Sequence, residues 1–246
     1  MLKLITLITK FIVAAIMALL FSSCGHSINL GTGIKGSGNI TTETRTVNED
    51  FKKIEVSHGI KVIVEQSDNK SITVEADENL QQHIITKIEN GVLTIESDEG
   101  YNATETPIVK VKMPLTNGLS TSSGSEITSI GALITENIDV ESSSGSRINI
   151  TVEADAIKME STSGSSIEVG GKALKAETSS SSGSTIDAKK LMANEVVSQT
   201  SSGSNTSVYP IVKLDAKASS GSNVSYHKIP KTVLKEESSG GSVSQE

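Results

Sequence analysis

The chain has 246 residues, a formal net charge of −7, one cysteine, no tryptophan and only 2% aromatic residues. An acidic balance argues against a nucleic-acid partner, which needs a basic footprint. A single cysteine excludes an intrachain disulfide and every cysteine-rich metal framework.

Residues 1–24 have the form of a secretion leader: Lys3 and Lys10, an apolar run from Phe11 to Phe21, then Ser22-Ser23-Cys24. The run is too short to span a bilayer, which takes about 20 apolar residues. Leu20-Phe21-Ser22-Ser23-Cys24 resembles a lipobox, which makes Cys24 the expected lipidation site and a membrane the expected partner. Gly25-His26-Ser27 lacks an acidic cluster, so an outer-membrane anchor facing the periplasm is expected rather than surface display. Residues 25–46 are rich in Gly, Ser, Thr and Asn and suggest a flexible tether.

Residues 47–118 form an expected N-terminal β region. Ile54 and Val56 alternate up to a break at Gly59, and Ile60, Val62 and Val64 alternate after it. Ile72 and Val74 follow a Ser67-Asp68-Asn69 turn. Leu80, Ile84 and Ile88 place a short helix within 78–88, Asn90-Gly91 marks a tight turn, and Val109, Val111 and Met113 complete the set.

Residues 119–246 carry a Ser-Gly-Ser array with glycines at 124, 145, 164, 183, 203, 221 and 240, spaced by 21, 19, 19, 20, 18 and 19 residues. A period near 20 is the mark of a solenoid. Around Gly164 alternate residues are Ile157, Met159, Ser161, Ser163, Ser165, Ile167 and Val169, and the other repeats follow the same frame. Length variation falls between frames, where Gly131, Gly170, Gly171, Pro210 and Pro230 lie. Stacked frames make a parallel β-solenoid with coils of about 20 residues, each rising roughly 4.8 Å. The Ser-Gly-Ser phrase admits two readings, a tight corner or a strand with small hydroxyls inward. Unbroken parity favours the strand, with Ser163 and Ser182 pointing in and Thr162 and Ser181 out.

The segment from Phe51 to Val62, with its Gly59-Ile60-Lys61 tripeptide, resembles the opening of the auto-transporter adhesin head GIN domain family. Gly91-Val92-Leu93-Thr94-Ile95 and Val111-Lys112-Met113-Pro114-Leu115 resemble its next two blocks, and the serine array resembles its remainder. The resemblance implies an all-β, right-handed β-helix in bacterial envelope lipoproteins. It brings no functional residues with it.

Catalysis on polysaccharide is the alternative function, since Glu141 with Glu160 and Glu168 with Asp187 stack on adjacent coils. A solvated charged face is the simpler account of those carboxylates, and there is no Trp to stack on a sugar. His26, His58, His83 and His227 have no ligand spacing, so neither metal nor cofactor is expected. The outward hydroxyl column through Ser122, Ser143, Thr162, Ser181, Ser201 and Ser219 would also suit a surface that orders water. The expected role is non-catalytic binding, adhesion or scaffolding. Its candidate contact strip is Ser143, Gly145, Thr162, Gly164, Ser181, Gly183, Ser201 and Gly203, facing a second copy or an envelope polymer.

Overall fold

The computed structural model describes residues 33–246; the leader, Cys24 and the first part of the tether lie outside them. The chain is a parallel β-solenoid of about 7 turns with ~19 residues per turn. Five long strands, Glu126–Ser142, Arg147–Ser161, Ser166–Ser180, Thr185–Thr200 and Asn205–Ala218, stack in parallel and in sequence order. Each bends midway into two arms joined by a corner, and a Ser-Gly turn leads to the next coil. The register shifts that absorb unequal coil lengths all lie at the corner, for example between Glu168 and Gly170.

Alternation delivers the core. One arm builds the inward column Val109, Val62, Ile127, Ile148, Ile167, Ile186, Thr206, Val224, Val243. The other arm builds Leu93, Ile54, Leu119, Val140, Met159, Thr178, Ser198, Ala216. Side chains in this second column shrink from aliphatic to small along the axis, and all of them are buried.

The first coils are interrupted. Lys53–Val56 and Lys61–Gln66 stack directly beneath Gly118–Thr121 and Glu126–Ile130. The intervening excursion supplies a further layer, Val92–Ser97 and Ile108–Met113, and antiparallel strands that cover the end. The helix expected within 78–88 is a single 3-10 segment, Glu78–His83. Asn90-Gly91 folds Ile84–Glu89 back as a strand on Val92–Ser97, so Ile84 and Ile88 serve a hairpin instead of a helix face.

The tether also ends sooner than its composition suggests. Ile34–Lys35 pairs with Tyr101–Asn102, and Ile40–Arg45 runs antiparallel to Ser71–Asp77. Asp77 is the clamp: Gly38 N donates to its Oδ1 at 2.7 Å and Thr104 N to its Oδ2 at 2.8 Å. Gly36 packs against this carboxylate, where a Cβ would lie 2.4 Å from Oδ2. The glycines here admit a buried acid; they do not loosen the chain.

Burial works against ionisation of Asp77, but the donors from Thr104 and Gly38 outweigh it and hold its pKa below the ordinary 3.8. A depressed folded pKa gives stability that is present above the ordinary value and lost as pH falls through the folded one. Relative to its intrinsic rate at each pH, exchange of the Gly38 and Thr104 amides should therefore lose protection only below pH 3.8. Asp77→Asn should accelerate it at every pH, because the amide offers one acceptor oxygen where the carboxylate offers two. Amide exchange by mass spectrometry between pH 3 and 7 checks both.

Candidate functional site

Each Ser-Gly corner is a two-residue turn with φ positive at both central residues, 53° at Ser163 and 69° at Gly164. Ser165 N closes it on Thr162 O at 3.2 Å. This is the type I′ geometry that suits the twist of the flanking strands. The corner reading is therefore correct, and Ser163 and Ser182 are exposed at the tips instead of pointing inward. Parity survives because the inward residues on either side, Ser161 and Ser165, are four apart.

Those two serines carry the buried hydrogen bonds. Ser165 Oγ donates to Ser142 O at 2.6 Å, accepts from Thr162 N at 3.1 Å, and lies 2.9 Å from Ser161 Oγ. Ser184 repeats the pattern one coil later, donating to Ser161 O at 2.6 Å. The turns are also bonded to one another: Gly145 N donates to Ser163 O and Gly164 N to Ser182 O, both at 3.1 Å. The expected contact strip is thus one continuous edge, with Ser143, Thr162, Ser181 and Ser201 half-buried and their glycines exposed.

The edge has a member that the period conceals. His58 and Gly59 have φ of 65° and 71°, and Gly59 N donates to Ser123 O at 3.0 Å. They form the same turn one layer below Ser123-Gly124, separated from it in sequence by the excursion. The Tyr101 hydroxyl donates to His58 O and closes the column.

At the opposite end of the arms, the corner is concave. Thr135, Ala154, Ala173, Ala193 and Pro210 align from coil to coil, a column of mostly small side chains. Ala154 and Ala173 lie low between larger neighbours, among them Ile134, Leu174, Met192 and Ile211, leaving a groove of ≈ 960 Å³ that continues to Leu115 and Lys52. Ile134, Leu174 and Met192 are 61%, 56% and 42% exposed, unusual for aliphatic residues without a reason. Seven layers separated by the strand spacing make the groove about 29 Å long. Asn117 Oδ1 sits one layer from its first end, buried and without a partner.

The profile of the family "Putative auto-transporter adhesin, head GIN domain" matches residues 50–230. The chain belongs to this family. The head GIN fold recurs in a solved "putative adhesin" from Bacteroides fragilis, at 19% identity and TM-score 0.82 over 87% of this chain and 100% of that one. A "putative lipid binding protein" from Parabacteroides distasonis aligns at 20% identity and TM-score 0.72, over 87% and 99% of the two chains. A "putative adhesin" from Parabacteroides merdae aligns at 20% and 0.71, over 87% and 99%. No functionally curated protein matches the sequence. The Gly59-Ile60-Lys61 tripeptide, which departs from Gly-Ile-Asn at Lys61, is the exit from the first turn, with Ile60 fully buried.

The stacked carboxylates sit on the outward faces of the arms of the head GIN fold and do not line the groove. Glu141 pairs in register with Glu160, and Glu168 with Asp187. Lysines balance three of them: Lys158 at 3.9 Å from Glu160, Lys190 at 2.9 Å from Glu168 and Lys189 at 2.6 Å from Asp187. The hydrogen bond and the charge of Asp187 raise the Lys189 pKa above its ordinary value. This is a solvated ion-pair ladder. His58, His83 and His227 lie apart, beside Ser57, Asp98 and Glu246 respectively. Among the described residues no three metal-ligating side chains converge.

Proposed function

We propose that this protein is a lipid-anchored adhesin of the bacterial envelope that acts by binding, and that its corner groove takes an aliphatic chain of an envelope lipid. The apolar, small-floored groove carries this reading, since aliphatic side chains exposed together in a concave strip gain most from covering by hydrocarbon. The likeness in fold to the "putative lipid binding protein" of Parabacteroides distasonis supports it. Acylation of Cys24 would hold the protein on the outer membrane, facing the periplasm, each buried CH₂ contributing about 0.8 kcal/mol. A second reading, favoured by the eight-layered turn edge, assigns contact with a second copy or an envelope polysaccharide to the Ser-Gly strip.

One experiment separates them. Cys24→Ala should move the full chain from the membrane to the soluble fraction. In that background, Leu174→Glu with Met192→Glu should weaken binding of a fluorescent long-chain fatty acid at least tenfold, as charge replaces apolar contact. Thr162→Glu with Ser181→Glu should leave it unchanged. The reverse pattern, with retention on purified envelope glycan lost in the strip variant, would move the site to the turn edge.

A further inference from the structure

The last coil departs from the inward pattern of every coil before it. Leu214, Ala216 and Ala218 are succeeded in register by Val233, Lys235 and Glu237. Two inward columns of small or aliphatic residues therefore end in opposite charges. Neither charge is left without a role. Ser242 N donates to the preceding coil, at Ser222 O, so in a parallel ladder the N–H and C=O of Val243 face the other way, toward the layer that a further coil would occupy. Glu237 Oε1 accepts from Val243 N at 2.6 Å, and Lys235 Nζ donates to Val243 O at 2.8 Å. Lys235 Nζ also lies 4.9 Å from the centre of the Tyr226 ring, covering the end of the core.

We infer that Lys235 and Glu237 form a plug that imitates the missing coil and keeps this end from recruiting a second copy of the chain. The surface beneath is a strand-docking face. Among the described residues no strand pairs with the outer edges of Thr232–Glu237 and Ser242–Gln245. Leu234 beside them is 50% exposed. Open edges of this kind template pairing with another chain, and inward-pointing charges are a known way to prevent it. The other end of the sheet finishes in the antiparallel strand Ile84–Glu89, which does not match a parallel edge. The fitting partner is therefore the same last coil of a second molecule, related by a two-fold axis.

Lys235→Ala with Glu237→Ala restores the residue type of Ala216 and Ala218 and removes the plug. Light scattering on the full chain should show the double variant at twice the mass of wild type or more, at equal concentration. Lys235→Arg with Glu237→Asp keeps the donor, the acceptor and both charges and should retain the wild-type mass. A folded double-Ala variant of unchanged mass overturns the inference, as does equal association of the conservative pair. If the double variant loses its β-sheet circular dichroism, Lys235→Met with Glu237→Gln removes the charges but keeps the stems, and the same masses decide.

Discussion

Gly171→Ala is expected to destabilise the protein by at least about 3 kcal/mol, a cost that combines backbone strain with a hard clash. Gly171 has φ of 111°, and a Cβ there would lie 2.0 Å from Val152 O on the adjacent coil. Both atoms are fixed: Gly171 pairs with Val152 on one side and Leu191 on the other, so no side chain can swing away. Gly164 is the contrast. Its φ is also positive, at 69°, but nothing lies within 4 Å of its would-be Cβ. Gly164→Ala should cost only the left-handed penalty, about 1–2 kcal/mol. For a domain of this size the Gly171 variant should melt roughly 6–12 °C below wild type by calorimetry, and the Gly164 variant about one to two thirds as far below. Equal melting temperatures would show that the corner yields and that its close approach is soft.

The second large effect falls within a single turn. Ser165→Lys should cost several kcal/mol, because it places an ammonium at a site 2% exposed. It also removes the hydroxyl that bonds Ser142 O and Thr162 N, although those two groups keep their bond to each other at 3.0 Å. Ser163→Lys, two residues away, should change stability by no more than about 0.5 kcal/mol, since the tip side chain meets solvent. Urea unfolding of the two variants checks the assignment. A severe Ser163 variant beside a mild Ser165 variant would restore the inward placement of the tip that alternation alone suggests.

That misplacement shows where sequence periodicity stops being informative. Ile148, Ile150, Ile167 and Val169 announce a two-sided strand, and they occupy the core as their alternation requires. Ser161 and Ser165 continue the same parity through a reversal of direction, because a two-residue turn leaves inward neighbours an even number apart. Backbone sign, not side-chain pattern, distinguishes the two cases, and seven repeats of Ser-Gly with φ > 0 were the only trace of it. His58-Gly59 escaped notice for a different reason: the excursion before Gly118 breaks the period without breaking the stack. The groove was hidden as well. Its floor depends on Ala154 and Ala173 meeting across a bend where the inward parity changes, and neither alanine is unusual alone. Gly36 and Gly38 suggested slack because the partner that needs them, Asp77, lies about 40 residues onward. Lys235 and Glu237 could have been found: the frame set by Gly240 places both on inward positions, where every earlier coil is small or apolar.

The tapering second column, from Leu93 and Ile54 to Ser198 and Ala216, gives the solenoid a direction in which it comes apart. In a stack of coils each layer is held chiefly by its two neighbours, so opening spreads from wherever contacts are weakest. The later coils bury less hydrocarbon per layer and should fray first under heat or tension, while the covered first layers hold. A pull entering at Ile34 meets the firm end, and the thin end behaves as a series of yielding links. Such a rod absorbs a tug by giving up coils one at a time, and each recovered coil finds an intact template below it on which to rewind.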